Sequence, residues 1–176
     1  MSSASQILDV AERHMRREGY QAVSYRDIAA EVGIKSASLH YHFPKKEDLG
    51  AALVRRYTQN FQDTLGETAP DSDTPAAQIL AFIEIYRQAL TQQKLVCLCA
   101  VLGAEAPGLP PRVSQEVRAF FTQNIDWLTQ RYKEAGEAKP AARAKTTLAL
   151  LEGAMILASV NEDMSIFEAA ADAAKV

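Results

Sequence analysis

SYRDIAAEVGIKSASLHYHFPKKEDL, residues 24–49, is the stretch that decides the fold. Ser24 precedes a short helical segment, 25–32, with Ile28, Ala29 and Val32 on one face. Gly33 ends it, supplying the positive φ that a tight turn demands. A second short helix, Ser36–His42, is closed by Phe43-Pro44. Two helices joined this way form a helix-turn-helix. Ile28, Ala29, Ile34, Leu39 and Phe43 supply its apolar side, and the small pair Ala29-Ala30 allows close approach. The opposite face carries Lys35, Ser36, Ser38, Tyr41 and His42, short hydrogen-bonding or aromatic groups with one cation. Such groups suit the floor and rim of a DNA major groove. The helix N-terminus and Lys46 are placed to meet phosphates. Helix pairs with a glycine turn also occur in bundles that never meet DNA, so spacing alone leaves a structural motif open.

The pattern outward from this motif is helical in both directions. Ile7, Ala11 and Met15 recur at four-residue spacing up to Gly19. Leu49, Leu53, Tyr57, Phe61 and Leu65 do the same from about Lys45 to Leu65. Further helices are expected over Thr74–Gln92, Leu95–Ala104, Pro111–Ala135 and Ala141–Ser159, with a short one after Asp163. The breaks are 66–75 (GETAPDSDTP), 106–111 (APGLPP) and 136–140. The sequence therefore predicts an all-α chain of about nine helices. A helix-turn-helix domain over 1–48 precedes a second helical domain over 49–176, to which the family resemblance given below assigns effector binding and dimerisation.

With 176 residues, 48% hydrophobic and 23% charged, the chain can bury a sizeable core. The net charge of −3 excludes a surface that is basic throughout. Residues 1–64 carry 9 Lys/Arg against 8 Asp/Glu, and the remainder 10 against 14, a mildly basic head on an acidic body. Two cysteines exclude a disulfide framework and a four-cysteine zinc site. The longest apolar run, Leu95–Ala104, is about half of a membrane span, and the first residues lack a signal-peptide core. A cytoplasmic protein is expected, with no membrane partner, no metal and no cofactor.

Residues 24–49 resemble the N-terminal signature of TetR-family transcriptional regulators. The matching features are Ser24, Ile28-Ala29, Gly33-Ile34, Leu39, Phe43 and the KKEDL run at 45–49. The likeness extends over about residues 5–60. It implies a non-enzymatic, one-component regulator that binds a palindromic double-stranded DNA operator as a homodimer. A small effector acting on the C-terminal domain would release it, which makes it a repressor. On that resemblance Ser24 caps the first motif helix and touches a phosphate. Ser36, Ala37 and Ser38 lie nearest the bases, Tyr41 and His42 reach the backbone, and Lys46 meets a phosphate. The sequence departs from the family pattern at three places. Lys35 stands where a small polar residue usually precedes the recognition helix, which leaves Ser36 to take over the cap. Ala37 stands where glycine is common, and His40 replaces a tyrosine that contacts phosphate. The resemblance also assigns dimerisation to the last two long helices. Ala149/Gly153 and Ala154/Ala158 give one of these a small face for close crossing.

The effector site is expected between Thr74–Leu102 and Pro111–Ala135, lined by Phe82, Tyr86, Val101, Phe120, Phe121, Asn124 and Leu128. That lining suits an apolar or aromatic molecule rather than a sugar or nucleotide. The 106–111 break would form a lip offering backbone groups to the ligand, and Glu105 would be a solvated helix end or a polar anchor. Two other readings compete. Cys97 or Cys99 could sense oxidants or electrophiles, although on a helix they would lie about 200° apart with only Lys94 nearby to lower a thiol pKa. A small all-α enzyme is the other, but no nucleophile elbow, P-loop or paired carboxylates are present.

Overall fold

The computed structural model describes residues 3–70 and 74–176. Their order is α1 (Ser3–Ala22), α2 (Tyr25–Val32), α3 (Ser36–His42), α4 (Lys46–Thr68), α5 (Pro75–Gln88), α6 (Leu98–Ala104), α7 (Pro111–Glu134), α8 (Pro140–Asn161) and α9 (Met164–Ala174). A π turn, Ala89–Gln93, follows α5, and a 3₁₀ turn, Ala106–Gly108, precedes α7. None of these helices is long and apolar enough to cross a membrane. The break expected at 66–75 is shorter than its composition suggests. α4 runs through Thr68, Thr74 caps α5 by accepting from the Ala77 N–H, and positions 71–73 lie outside the described residues.

Two compact units emerge. One takes the chain up to Thr58 together with Leu98–Phe120; the other takes Gln59–Cys97 and Phe121–Val176. The first unit therefore includes residues beyond 48, with α6 packed on α1. α4 and α7 each contribute residues to both units.

In the first unit Ile7, Ala11 and Met15 of α1 are fully or almost fully buried with Ile28, Leu39, Leu49, Leu53 and Leu102. Gly19 interrupts α1 with φ 83 and ψ 173, a region nearly restricted to glycine. The Tyr20 N–H beyond it is satisfied by Glu105 Oε1 at 3.0 Å. Glu105 is thus not a solvated end: its Oε1 ties the end of α1 to the turn before α7, and its Oε2 is buried without a hydrogen-bond partner. Likewise Gly108 O accepts from Gln21 Nε2 at 3.0 Å. That carbonyl of the 106–111 break serves the chain itself and is not offered to a ligand.

In the second unit Ile79, Phe82, Ile83, Leu128, Tyr132, Leu151 and Phe167 are buried to within about 1% exposure. Arg87 grips Glu168 through two hydrogen bonds of 2.8 and 2.9 Å, fixing α5 to α9. The Tyr132 hydroxyl lies 2.8 Å from Thr147 Oγ1 and donates to Ala174 O at 2.7 Å, which closes the C-terminal helix onto α7 and α8.

Candidate nucleic-acid interface

Gly33 caps α2 in the left-handed region, φ 78 and ψ 31, and its N–H reaches Ala29 and Ala30 carbonyls. The Ile34 N–H returns to Ala29 O at 2.9 Å, so the turn is held by its own backbone. Only Leu39 of α3 is buried. Ser36, Ala37, Ser38, His40, Tyr41 and His42 are all exposed, Tyr41 at 84%. Lys35, exposed beside them, is the N-cap residue in extended conformation and makes no side-chain cap bond. Two capping expectations fail here. Ser36 sits inside the helix rather than at the cap. Ser24 does occupy the N-cap of α2, yet its hydroxyl makes no capping bond. Side chains without local partners remain available to an external acceptor.

His40 packs its ring on Tyr25, centroids 4.8 Å apart, and its Nδ1 faces Pro44 O at 3.4 Å. A carbonyl only accepts, so this contact calls for the proton on Nδ1. Lys46 is half-buried. Its Nζ donates to Gln21 O at 2.9 Å and lies 5.0 Å from the Tyr20 ring centroid. Burial pushes its pKa down, and the Glu105 carboxylate opposes that shift. The ammonium has three donors, of which this bond uses one.

Sequence reasoning missed what holds this surface. The Tyr25 hydroxyl bridges Phe43 O at 3.0 Å and Lys45 O at 2.6 Å, clamping the corner between α3 and α4 onto α2. Burial, with help from Asp48, pushes that phenol well above its usual range, so it stays a donor. His14 and Arg13 both reach Glu31, each at 2.7 Å, and hold α1 against α2. Their hydrogen bonds, His14 first, lower the Glu31 pKa. These pairings join residues 17 to 20 positions apart, which no local spacing signals.

The residues expected around an effector fall in both units. Val101 and Phe120 belong to the first, where Phe120 packs on Tyr57 with centroids 5.6 Å apart. Phe82, Tyr86, Phe121, Asn124 and Leu128 belong to the second. There, Phe82 stands 5.4 Å from Tyr86, 5.5 Å from Phe61 and 5.6 Å from Trp127, ring to ring. Asn124 is fully buried. Its Oδ1 accepts from Gln62 Nε2 at 3.1 Å, and its Nδ2 has no partner. Glu152 of α8 is buried too. Oε1 accepts from the Tyr86 hydroxyl at 3.0 Å, and Oε2 has no partner. Burial raises the Glu152 pKa well above normal, and the adjacent Cys97 raises it further.

Cys97 precedes α6 in a non-helical segment and Cys99 lies within it, so the expected helical offset between them does not apply. Both are buried. Cys97 lies beside the Glu152 carboxyl group.

On α8 and α9 an apolar groove of about 380 Å³ is lined by Ala149, Leu150, Gly153, Leu157, Ile166 and Ala173 among others. Leu157 in that lining is 54% exposed, and Val160 of α8 is 77% exposed. A Cβ added at Gly153 would meet nothing within 4 Å.

Residues 7–53 match the family model for bacterial regulatory proteins of the tetR family, and residues 75–173 match that for the C-terminal domain of LmrA/YxaF-like transcriptional regulators. The chain is 24% identical to the HTH-type transcriptional regulator LmrA of Bacillus subtilis over 88% of its length and 85% of that protein. A TetR transcriptional regulator from Legionella pneumophila superposes with a TM-score of 0.94 at 29% identity, covering 99% of this chain and 96% of that one. A TetR-family regulator from Agrobacterium tumefaciens gives 0.89 at 35% identity, covering 97% and 94%. With both halves of the chain matched in order and the exposed helix-turn-helix in place, the protein belongs to the TetR family of DNA-binding transcriptional regulators, with a C-terminal domain of the LmrA/YxaF-like type.

Proposed function

We infer that this regulator is a homodimeric repressor, released from a palindromic operator by a small, mainly apolar effector held in the second unit. The observation that carries this reading is the pair of buried, unpartnered polar atoms, Asn124 Nδ2 and Glu152 Oε2, in the unit that holds the Phe61, Phe82, Tyr86 and Trp127 rings. Leaving a buried polar atom unpaired costs about 1–3 kcal/mol. A ligand presenting an apolar body and one or two hydrogen-bonding groups recovers that loss. Burial raises the Glu152 pKa and so favours its neutral, hydrogen-bonding form over the carboxylate. A sugar or nucleotide would bring more polar groups than these residues can satisfy.

On the DNA side, Ser36, Ala37 and Ser38 face the bases with Lys35 at the rim. Ser24, Tyr41, His42 and Lys46 contact phosphates, joined by His40 when it is protonated. The apolar groove on α8 and α9 pairs with its copy about a two-fold axis, matching a palindromic site. Release follows if the effector moves α4, a continuous helix that begins at Lys46, and so changes the spacing of the two recognition helices. Productive spacing is one helical repeat, about 34–36 Å. A coupling of about 1–3 kcal/mol gives roughly 5–150-fold derepression.

The test is an operator-binding titration by fluorescence anisotropy, run with a panel of small aromatic compounds. Compounds that raise the operator Kd should lose that effect in Asn124→Leu and Glu152→Leu, while both variants bind the operator normally without a compound. Release that survives both substitutions would place the effector site elsewhere.

A further inference from the structure

The second unit carries a cavity that the preceding functions leave unused. About 490 Å³ of space is lined by Leu90 and Lys94 beyond α5, and by Ala158, Ser159, Glu162 and Met164 around the α8–α9 corner. Small-molecule sites occupy about 300–1,000 Å³. The cavity shares no lining residue with the apolar groove.

Three backbone irregularities converge on it. Leu90 belongs to the π turn Ala89–Gln93, and such turns are frequent at functional sites. Lys94 has φ 53 and ψ 38, and Glu162 has φ 53 and ψ 33. They are the two non-glycine residues with positive φ among those described, and both line this one cavity. At a helix end in this conformation glycine or asparagine is the usual occupant. Residues held in sparsely populated backbone regions cluster at ligand clamps. Here the two strained positions carry opposite charges, both side chains are exposed, and neither enters any of the described ion pairs. Leu90 and Ala158 are buried, and with Met164 they give the cavity an apolar floor; Ser159 adds a hydroxyl.

We propose that this cavity is a second ligand site, distinct from the effector region, that binds a small zwitterion with an apolar body. The ligand carboxylate faces Lys94 and its ammonium faces Glu162, as an α-amino acid with a large apolar side chain would present them. One cation and one anion on the rim favour a ligand carrying both signs. A singly charged ligand satisfies one of them and sets a like charge against the other. Once bound, it would clamp the end of α5 to the end of α8. This inference does not depend on the release mechanism, since its readout is binding itself.

The experiment is isothermal titration of the full-length protein with L-phenylalanine, L-tryptophan and L-leucine. 3-Phenylpropanoate and 2-phenylethylamine serve as single-charge analogues of the first. At least one amino acid should bind with a millimolar Kd or tighter. The analogues should bind about two- to fivefold more weakly, as expected for solvent-exposed charge pairs. Lys94→Met and Glu162→Gln should each weaken the amino acid by a similar factor. Lys94→Met should bind 2-phenylethylamine at least as tightly as the parent does, because that analogue has no carboxylate to lose and is freed of a like charge. Ser159→Trp should abolish binding by filling the space. Lys94→Gly and Glu162→Gly remove the same charges while relieving the left-handed strain, so folded variants are assured. No binding by any of the three amino acids, analogues that bind as tightly, or charge removal without effect would each overturn the proposal.

Discussion

Alanine at Gly19 strikes the junction on which the DNA-binding unit closes. The native backbone there, φ 83 and ψ 173, is essentially open to glycine alone, and forcing another residue into it costs about 1–3 kcal/mol. The added Cβ would also lie 3.0 Å from Glu105 Cδ and closer still to Oε1. The carboxylate must swing away, breaking its 3.0 Å bond from the Tyr20 N–H. A hydrogen bond to a charged group is worth about 1.5–3 kcal/mol. Together these give a destabilisation of about 2.5–6 kcal/mol, a large share of the 5–15 typical of a domain. At about 2–4 °C per kcal/mol for a chain of this size, Tm should fall by at least about 5 °C. Circular dichroism melts of the parent, Gly19→Ala, Glu105→Ala and the double variant test the account. In the Glu105→Ala background the glycine substitution should cost only its backbone strain, a coupling of roughly 1.5–3 kcal/mol. A Gly19→Ala protein as stable as the parent, or a cost unchanged by Glu105→Ala, would refute the reasoning.

Lys46→Ala should weaken binding to every DNA sequence and lower the log–log salt slope by about 0.9, one phosphate contact; an unchanged slope would mean that Nζ serves only Gln21 and Tyr20. Lys35→Ala and Ser38→Ala should instead shift sequence preference in a selection from random DNA. Glu152 has a folded-state pKa above its unfolded one, so its contribution is full at low pH and is lost as pH rises, with a slope of up to about 1.4 kcal/mol per pH unit. Glu152→Gln keeps an acceptor for Tyr86, so in urea denaturation its stability relative to the parent should climb as pH rises above the ordinary carboxyl range; a constant difference would contradict the burial argument. Gly153→Leu adds bulk where the folded chain itself leaves room, so sedimentation should show folded monomers in place of dimers, and an intact dimer would exclude this face as the contact.

The helix-turn-helix is legible because its determinants are local. Gly33 supplies the left-handed turn, Leu39 the single buried residue of α3, and Gly19 the end of a regular α1, all within reach of a spacing argument. Helix periodicity identifies a buried face but not what covers it. Val101 and Phe120 share the apolar character of Phe82 and Tyr86 and still pack in the other unit. Glu152 escapes a sequence argument because a glutamate on an apolar helix reads as solvated. Its four-residue step from Leu148 and three-residue step to Met155, both buried, put it on the inner face. The π turn after α5 had no warning either, since Lys94 adopts a conformation that a glycine would have advertised. Caps at Ser24 and Ser36 were inferred from residue type, whereas the backbone carbonyls of Ser24 and Lys35 start these helices without side-chain help.

Six of the seven residues of α3 face outward, and Leu39 alone secures it from within. The corner that follows is fastened from outside by the Tyr25 hydroxyl. The surface proposed to read DNA is thus almost uncoupled from the framework that carries it. Lineages of this regulator could acquire new operators by rewriting Lys35–Ser38, Tyr41 and His42 in any order, without intermediates that fail to fold. A designer could graft another family member's reading helix here by keeping a leucine and a tyrosine.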